Sequence, residues 1–445
     1  MRSMLLRLAG ALGLKTMFRA VRSRNFRLFL GGQGVSLVGT WIQHTAMSWL
    51  VYRLTNSVFL LGAVAFSSQI PCFVFAPLAG ALADRYNRHR VLLVTQVISM
   101  LQAFALAALV LTGTVRVWHV MALGFLLGCV NSLDMPARHS FVLDMVKKKE
   151  MLGNAIALNS LMFNVARLIG PSVAGVLIAV TGEGICFLLN GLSFLAVIWS
   201  LLAMRLDPPR PRARPAPLVR EMGEGLAYVF GFPPIRLILA LLCVSSIMGL
   251  SYVVLMPVFA RDILHGGPRT LGILMAAGGV GAMVGTLYLA AKKSVYGLGR
   301  MLPEAASIFG LGLIAFSLSR ALWLSLLVLV VSGFGMMVQL ASSNTILQVV
   351  VDDDKRGRVM SFYSMSLIGM APIGSLLIGT LASRIGAPLT LSIAGGAIVA
   401  AACVFATRLR EFRGMLHPLY RRAGVIPEVA AALQTATELT SPPEE

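Results

Sequence analysis

Long apolar stretches, each about as long as a bilayer crossing and each closed by charged or turn-forming residues, recur along the whole chain. A helix rises about 1.5 Å per residue, so roughly 20 apolar residues cross the ~30 Å hydrocarbon layer. On that scale the pattern predicts helical spans at 27–51, 58–82, 91–112, 117–137, 156–180, 184–204, 236–260, 270–291, 302–319, 321–345, 360–383 and 388–407. The breaks are short except for the Pro- and Arg-rich RLDPPRPRARPAPLVREMGEGLAYVFGFPPIR at 205–236. That break divides the spans into two sets of six. The expected organisation is a basic N-terminal segment (1–26), a six-helix bundle (27–204), a linker (205–235), a second six-helix bundle (236–407) and a tail (408–445). The fold class expected is an all-α membrane protein.

Composition agrees with this reading. The 445 residues are 57% apolar and 13% charged, which makes the bilayer the natural solvent. The formal charge of +20 would prompt a nucleic-acid partner in a soluble protein. Here the basic residues lie between the apolar runs and act on topology instead. Among the 38 Lys and Arg residues, only Arg53, Arg116, Arg261, Arg269, Arg320 and Arg384 fall on one set of loops, and Arg167 lies inside a span. Basic loops stay cytoplasmic during insertion, so both termini and the linker are expected there. Arg7 and Lys15 interrupt the apolar part of the N-terminal segment, which reads as a retained basic lead-in rather than a cleaved signal. All five cysteines sit inside apolar runs without paired spacing, so neither a disulfide framework nor a zinc site is expected. With no GxxxxGK[ST], no HExxH and six scattered histidines, ATPase and hydrolase chemistry have no motif to rest on, and no cofactor or metal is expected.

The chain also matches itself. One ungapped register lays KKKEMLGNAIALNSLMFNVARLIGPSVAGVLIAVTG on VDDDKRGRVMSFYSMSLIGMAPIGSLLIGTLASRIG. Gly153, Gly170, Gly175 and Gly182 then meet Gly357, Gly374, Gly379 and Gly386. The fifth span corresponds to the eleventh in the same orientation, as expected of two halves related by an axis along the membrane normal.

Between the second and third spans, GALADRYNRHR (80–90) resembles the signature loop of the major facilitator superfamily, G-x-L-x-D-R-x-G-R-R/K, with Asn87 at the glycine position. Asn tolerates a left-handed backbone, so the tight turn is expected to survive. GTWIQHTAMSWLVYRLTNS (39–57), the stretch 133–175 and the linker sequence VREMGEGLAYVFGFPPIR are similar to the bacterial enterobactin-exporter and macrolide-efflux branch, and the likeness covers most of residues 20–407. It implies two pseudo-symmetric six-helix bundles in the bacterial inner membrane. It also implies a monomeric secondary transporter that exports small amphipathic molecules of drug or siderophore type by alternating access, coupled to protons. The implied partners are substrate, membrane lipid and protons. A lysophospholipid transporter and a non-transporting sensor or scaffold are the alternatives.

The same likeness implies a cytoplasmic gate of Gly80, Asp84, Arg85, Arg88 and Asp144, in which Asp84 caps the eleventh helix and Arg88 relays to Asp144. A carboxylate at the C-terminal end of its own helix opposes the helix dipole, so Asp84 should seek a positive partner. The alternative is that these charges only fix loop topology. Gly170, Pro171 and Gly175 match an exporter signature and make a thin, closely packed helix, which packing alone would also explain. Buried charge is the sharper clue, because Arg or Asp at mid-bilayer costs roughly 2.5–3.5 kcal/mol on insertion scales. Arg167 lies near mid-depth. Facing a cavity it would favour anionic or acceptor-rich ligands; facing a helix interface it would tie to carbonyls or Asn164. Helical spacing groups Ser36, Thr40 and Gln43 with Gln33 and His44 on the first span. Ser245, Met248, Tyr252 and Met256 form a similar face on the seventh, with Asn131 and Gln339 from the fourth and tenth. The expected cavity set is Gln33, Ser36, Thr40, Gln43, Asn131, Arg167, Tyr252 and Gln339, although such residues also hydrogen-bond between helices. Asp134, Asp144 and His44 are the candidates for proton coupling, while Glu183 and Asp262 read as solvated loop residues.

Overall fold

The chain's helices end where its turn chemistry says they should. Asn56 takes the left-handed conformation that stops the first helix, and glycines with positive φ stand at 113, 182, 297 and 386 in the turns that follow others. The computed structural model describes residues 19–145, 152–205, 228–292, 297–412 and 414–415. Among these, twelve long helical rods run Arg24–Thr55 (α1), Val58–Arg85 (α2), Arg88–Leu111 (α3), Val117–Met145 (α4), Leu152–Thr181 (α5), Glu183–Leu202 (α6), Pro233–Ile263 (α7), Pro268–Ala290 (α8), Leu298–Leu318 (α9), Leu322–Val350 (α10), Lys355–Ile385 (α11) and Ala387–Thr407 (α12). Eleven are long and apolar enough to cross a membrane. The remaining one, α1, has the length, at 32 residues, but Gln33, Gln43, His44 and Arg53 dilute its apolar character. The linker and tail fall mostly outside the described residues.

Within the first six rods, α1 packs on α5 and α6, α2 on α4, and α3 on α4 and α6. Within the second six, α7 packs on α11 and α12, α8 on α10, and α9 on α10 and α12. Each pairing in one set becomes a pairing in the other when six is added to the helix number, the signature of two parallel repeats. The halves meet along two further pairings, α2 on α11 and α5 on α8.

Glycine sets the closeness of both seams. A Cβ at Gly62 would lie 2.6 Å from the Ser375 carbonyl and 2.9 Å from the Gly379 Cα; one at Gly272 would lie 2.5 Å from the Pro171 carbonyl and 3.0 Å from the Gly175 Cα. No side chain fits at either crossing, and the two crossings are counterparts in the repeat. Both lie toward the ends of the helices that carry the turns after α1, α5, α7 and α11. That end is the far face, and the end where α1 begins and α12 finishes is the terminus face.

The halves differ in regularity. Rod α7 contains π turns at Ser245–Gly249 and Phe259–Ile263 and a 3-10 stretch at Leu250–Leu255, and α11 has a π turn at Met365–Gly369. Such turns loosen the backbone ladder and free carbonyls for other donors. Ser246 Oγ donates to the Leu367 carbonyl at 2.6 Å, stitching one irregular stretch to the other. Their counterparts α1 and α5 are unbroken α-helix, α5 continuing straight through Pro171.

Candidate substrate site between the two halves

On α5, Phe163 and Gly170 meet α1 through Trp41, while Leu168, Pro171 and Gly175 meet α8. Between these two contact faces a strip remains that carries Ser160 and Arg167. Ser160 is exposed and Arg167 partly so, and further along toward the far face Gly170, Pro171 and Ala174 are buried. Rod α1 behaves alike: Thr40 and His44 are exposed, whereas Met47 and Val51 beyond them are buried. The space shared by α1, α5 and α8 is therefore open at mid-depth and sealed beyond it.

Arg167 stands at the inner limit of this opening. Its Cζ lies 5.9 Å from the centroid of the Trp41 ring, a cation–π contact, which contributes about 0.5–2 kcal/mol against the insertion penalty. Trp41 in turn holds Phe163 and His44 edge-on, each with centroids 5.9 Å away. Across the seam, Tyr252 of α7 is buried and within electrostatic reach of Arg167. Adjacent glycines of α8 bring the two close: Gly278 faces the Tyr252 hydroxyl and Gly279 faces the Arg167 carbonyl. Asn164, the alternative interface partner of Arg167, donates instead to the Ser160 carbonyl at 2.9 Å.

The other predicted cavity residues lie elsewhere. Gln33 and Ser36 are buried, and the Thr40 hydroxyl donates back to the Ser36 carbonyl. Gln43 is buried in an amide chain, accepting from Asn190 at 2.8 Å and donating to Gln102 at 3.1 Å, which ties α1 to α6 and α3. Gln339 is buried against α7 and donates to Ser245 Oγ at 2.7 Å. Asn131 is half-buried on α4. Asp134 is buried on α4, where its carboxylate accepts from Thr95 and Gln96 of α3 at 2.9 and 2.8 Å and pairs with Arg138 one turn on. The Asp134–Arg138 spacing is visible in the sequence, and an i,i+4 reading would have found the pair.

A family model described as transmembrane secretion effector, of the major facilitator superfamily, matches residues 15–436. The chain belongs to that family. Its relatives include the staphyloferrin A transporter of Staphylococcus aureus, 25% identical over 85% of this chain and 95% of that one. The multidrug efflux pump Tap of Mycolicibacterium fortuitum is 26% identical (85% and 93%) and macrolide efflux protein A of Streptococcus pyogenes 24% (85% and 94%). Among solved structures, the nucleoside transporter NupG has a TM-score of 0.66 at 15% identity over 87% of this chain and 98% of that one. A bacterial homologue of the lysosomal transporter Spinster, inward-facing and occupied, has 0.66 at 13% (90% and 98%). These likenesses establish the fold. This secretion effector is thus a multi-span efflux transporter of major facilitator type, not an enzyme.

Of the expected gate in this transporter, the side chains of Gly80, Asp84, Arg85 and Asp144 lie outside the described residues. Arg88 donates to the Ser140 carbonyl at 3.2 Å, joining α3 to α4. Asn87 is not left-handed; it is the extended N-cap of α3, and its side-chain oxygen accepts from the backbone N–H groups of His89 and Arg90. A second expectation also changes at the far face. Glu183 is buried and holds Arg53 through two hydrogen bonds of 2.7 and 3.2 Å. Asp262 is exposed, yet it accepts from the Tyr52 hydroxyl across the seam, and Arg261 reaches Asn56 at 2.7 Å and lies over the Tyr52 ring. Sequence reasoning missed this latch because residues some two hundred positions apart leave no local signal of meeting.

Proposed function

We propose that this protein exports small amphipathic molecules of drug or siderophore type from the cytoplasm by alternating access, driven by the proton gradient. The observation that carries the reading is the seam itself, open at mid-depth around Thr40, His44, Ser160 and Arg167 and sealed toward the far face. The placement of Lys and Arg supports a cytoplasmic terminus face, and with that orientation the arrangement corresponds to a state that loads from the cytoplasm. Relatives named for a siderophore, for macrolides and for multiple drugs support the substrate class. Of the two coupling candidates with described side chains, His44 meets the opening, whereas Asp134 would first have to leave Arg138.

The test is accumulation of staphyloferrin A and of a macrolide in cells with and without the protein, each with and without a protonophore. The expected result is lower accumulation in expressing cells, abolished by the protonophore. Equal accumulation of both compounds in the two cell types overturns the export reading; protonophore-resistant efflux overturns proton coupling.

A further inference from the structure

Among the described residues, the mid-depth opening holds one permanent cation, Arg167, and no carboxylate. Six carboxylates have described side chains, and all six are engaged elsewhere: Asp134 with Arg138, Glu183 with Arg53, Asp262 with Tyr52, Glu304 with Arg300, Asp352 with Lys355 and Glu411 with Arg408. Among the described residues, Arg167 makes neither a hydrogen bond nor an ion pair, and its Cζ lies 5.9 Å from the centroid of the Trp41 ring. Its guanidinium N–H groups therefore have no protein acceptor among the described residues, and such a planar fork receives a carboxylate, sulfonate or phosphate edge-on. Opposite it, Tyr252 is 6% exposed and its hydroxyl makes no hydrogen bond among the described residues. Beside Arg167 is the ring of Trp41 and, edge-on to that, Phe163, which is 45% exposed.

We propose that Arg167 and Tyr252, flanked by Trp41 and Phe163, form a recognition site for amphipathic anions, the anionic group held by Arg167 and the apolar body against the two aromatic rings. The proposal rests on the export reading for its biological sense and names the charge class of the cargo. Arg167 belongs to the first half and Tyr252 to the second, so a ligand held by both bridges the seam. A cationic drug meets the field of Arg167 with no carboxylate among the described residues to offset it and is disfavoured. His44, edge-on to Trp41, is the only other titratable side chain in this ring cluster among the described residues.

The full-length protein, purified and reconstituted in liposomes, is tested with three probes of one shape: naphthalene-2-sulfonate, naphthalene-2-sulfonamide and (2-naphthylmethyl)trimethylammonium. Equilibrium binding is expected to favour the sulfonate over the ammonium by about tenfold or more, the range of one charge-assisted hydrogen-bonded pair. Arg167→Gln should weaken sulfonate binding about tenfold and leave the sulfonamide within about twofold, which also shows that the variant is folded; Arg167→Lys should keep most of the preference. Tyr252→Phe should weaken the sulfonate less than Arg167→Gln does. Equal or tighter binding of the ammonium to the wild-type protein, binding of none of the probes, or an Arg167→Gln variant that binds sulfonate as well as wild type overturns the site. Transport of the same probes separates this result from the export reading. Sulfonate bound selectively but not moved sinks export and leaves the site, whereas movement regardless of charge sinks the site and leaves export.

Discussion

Buried polar side chains in this protein divide into those that find partners and those that do not. Asp134 is the fully partnered kind, with Thr95, Gln96 and Arg138 around one carboxylate. Removing only the cation strands a charge in a low-dielectric setting. Arg138→Gln should therefore destabilise the protein by about 3 kcal/mol, read from thermal unfolding in detergent. Adding Asp134→Asn should recover most of the loss, and a double variant no more stable than Arg138→Gln alone would show that the pair is not what matters. Gln43 and Gln339 show where residue-level reading of the sequence stops. Helical spacing places each on a polar face, but a face does not say whether it meets the central space or a neighbouring helix. Both meet a neighbour, in the Asn190–Gln43–Gln102 chain and against Ser245. Arg167 is legible as a mid-depth charge because any charge stands out in an apolar run. Its ring neighbours Trp41 and Phe163 are not, since every helix here carries at least one aromatic residue and nothing local says which two will meet.

At the level of elements, all twelve rods are legible because a bilayer imposes one length and one polarity on each. The least apolar, α1, is found because short breaks frame it. Irregular stretches are another matter: nothing in SSIMGLSYVVL announces the π and 3-10 turns that stand where α7 packs against α11. The glycine crossings are half legible, as the repeat exposes Gly175 and Gly379 but not their partners Gly272 and Gly62. Gly62→Val should wedge α2 from α11, because the atoms it meets are backbone and cannot turn aside. A bias of about 1.4 kcal/mol would raise the far-open population about tenfold. The check is Met47→Cys in a protein whose other cysteines are replaced: an impermeant maleimide added at the far face should label it several-fold faster when Gly62→Val is present. Unchanged labelling would mean that close approach of the two backbones at this crossing is not needed for the far face to close.

For the whole molecule, the residues joining the halves at the far rim matter most. The Tyr52 hydroxyl on Asp262, and Arg261 on Asn56 and on the Tyr52 ring, hold α1 to α7. Arg53 with Glu183 anchors the same stretch of α1 to α6 of its own half. Tyr52→Phe removes a hydrogen bond to a charged acceptor that is open to water, so its loss should weaken closure by about 1 kcal/mol, roughly fivefold in population. Spin labels on the far ends of α1 and α7 should then report a larger fraction of long distances, and more again in Tyr52→Phe with Arg261→Gln. A distance distribution unchanged in both variants would remove the latch from any part in closure.

The two side-chain-free crossings have a mechanical consequence. Gly62 on Gly379 and Gly175 on Gly272 touch as bare backbone, at symmetry-related points, so one bundle can roll on the other there as on a pair of smooth bearings, with no rotamer to unseat. Resistance to the roll then resides in the polar clasps at the rim and in whatever cargo spans the middle, and these are where evolution or an experimenter can tune the speed of the cycle without disturbing its axis.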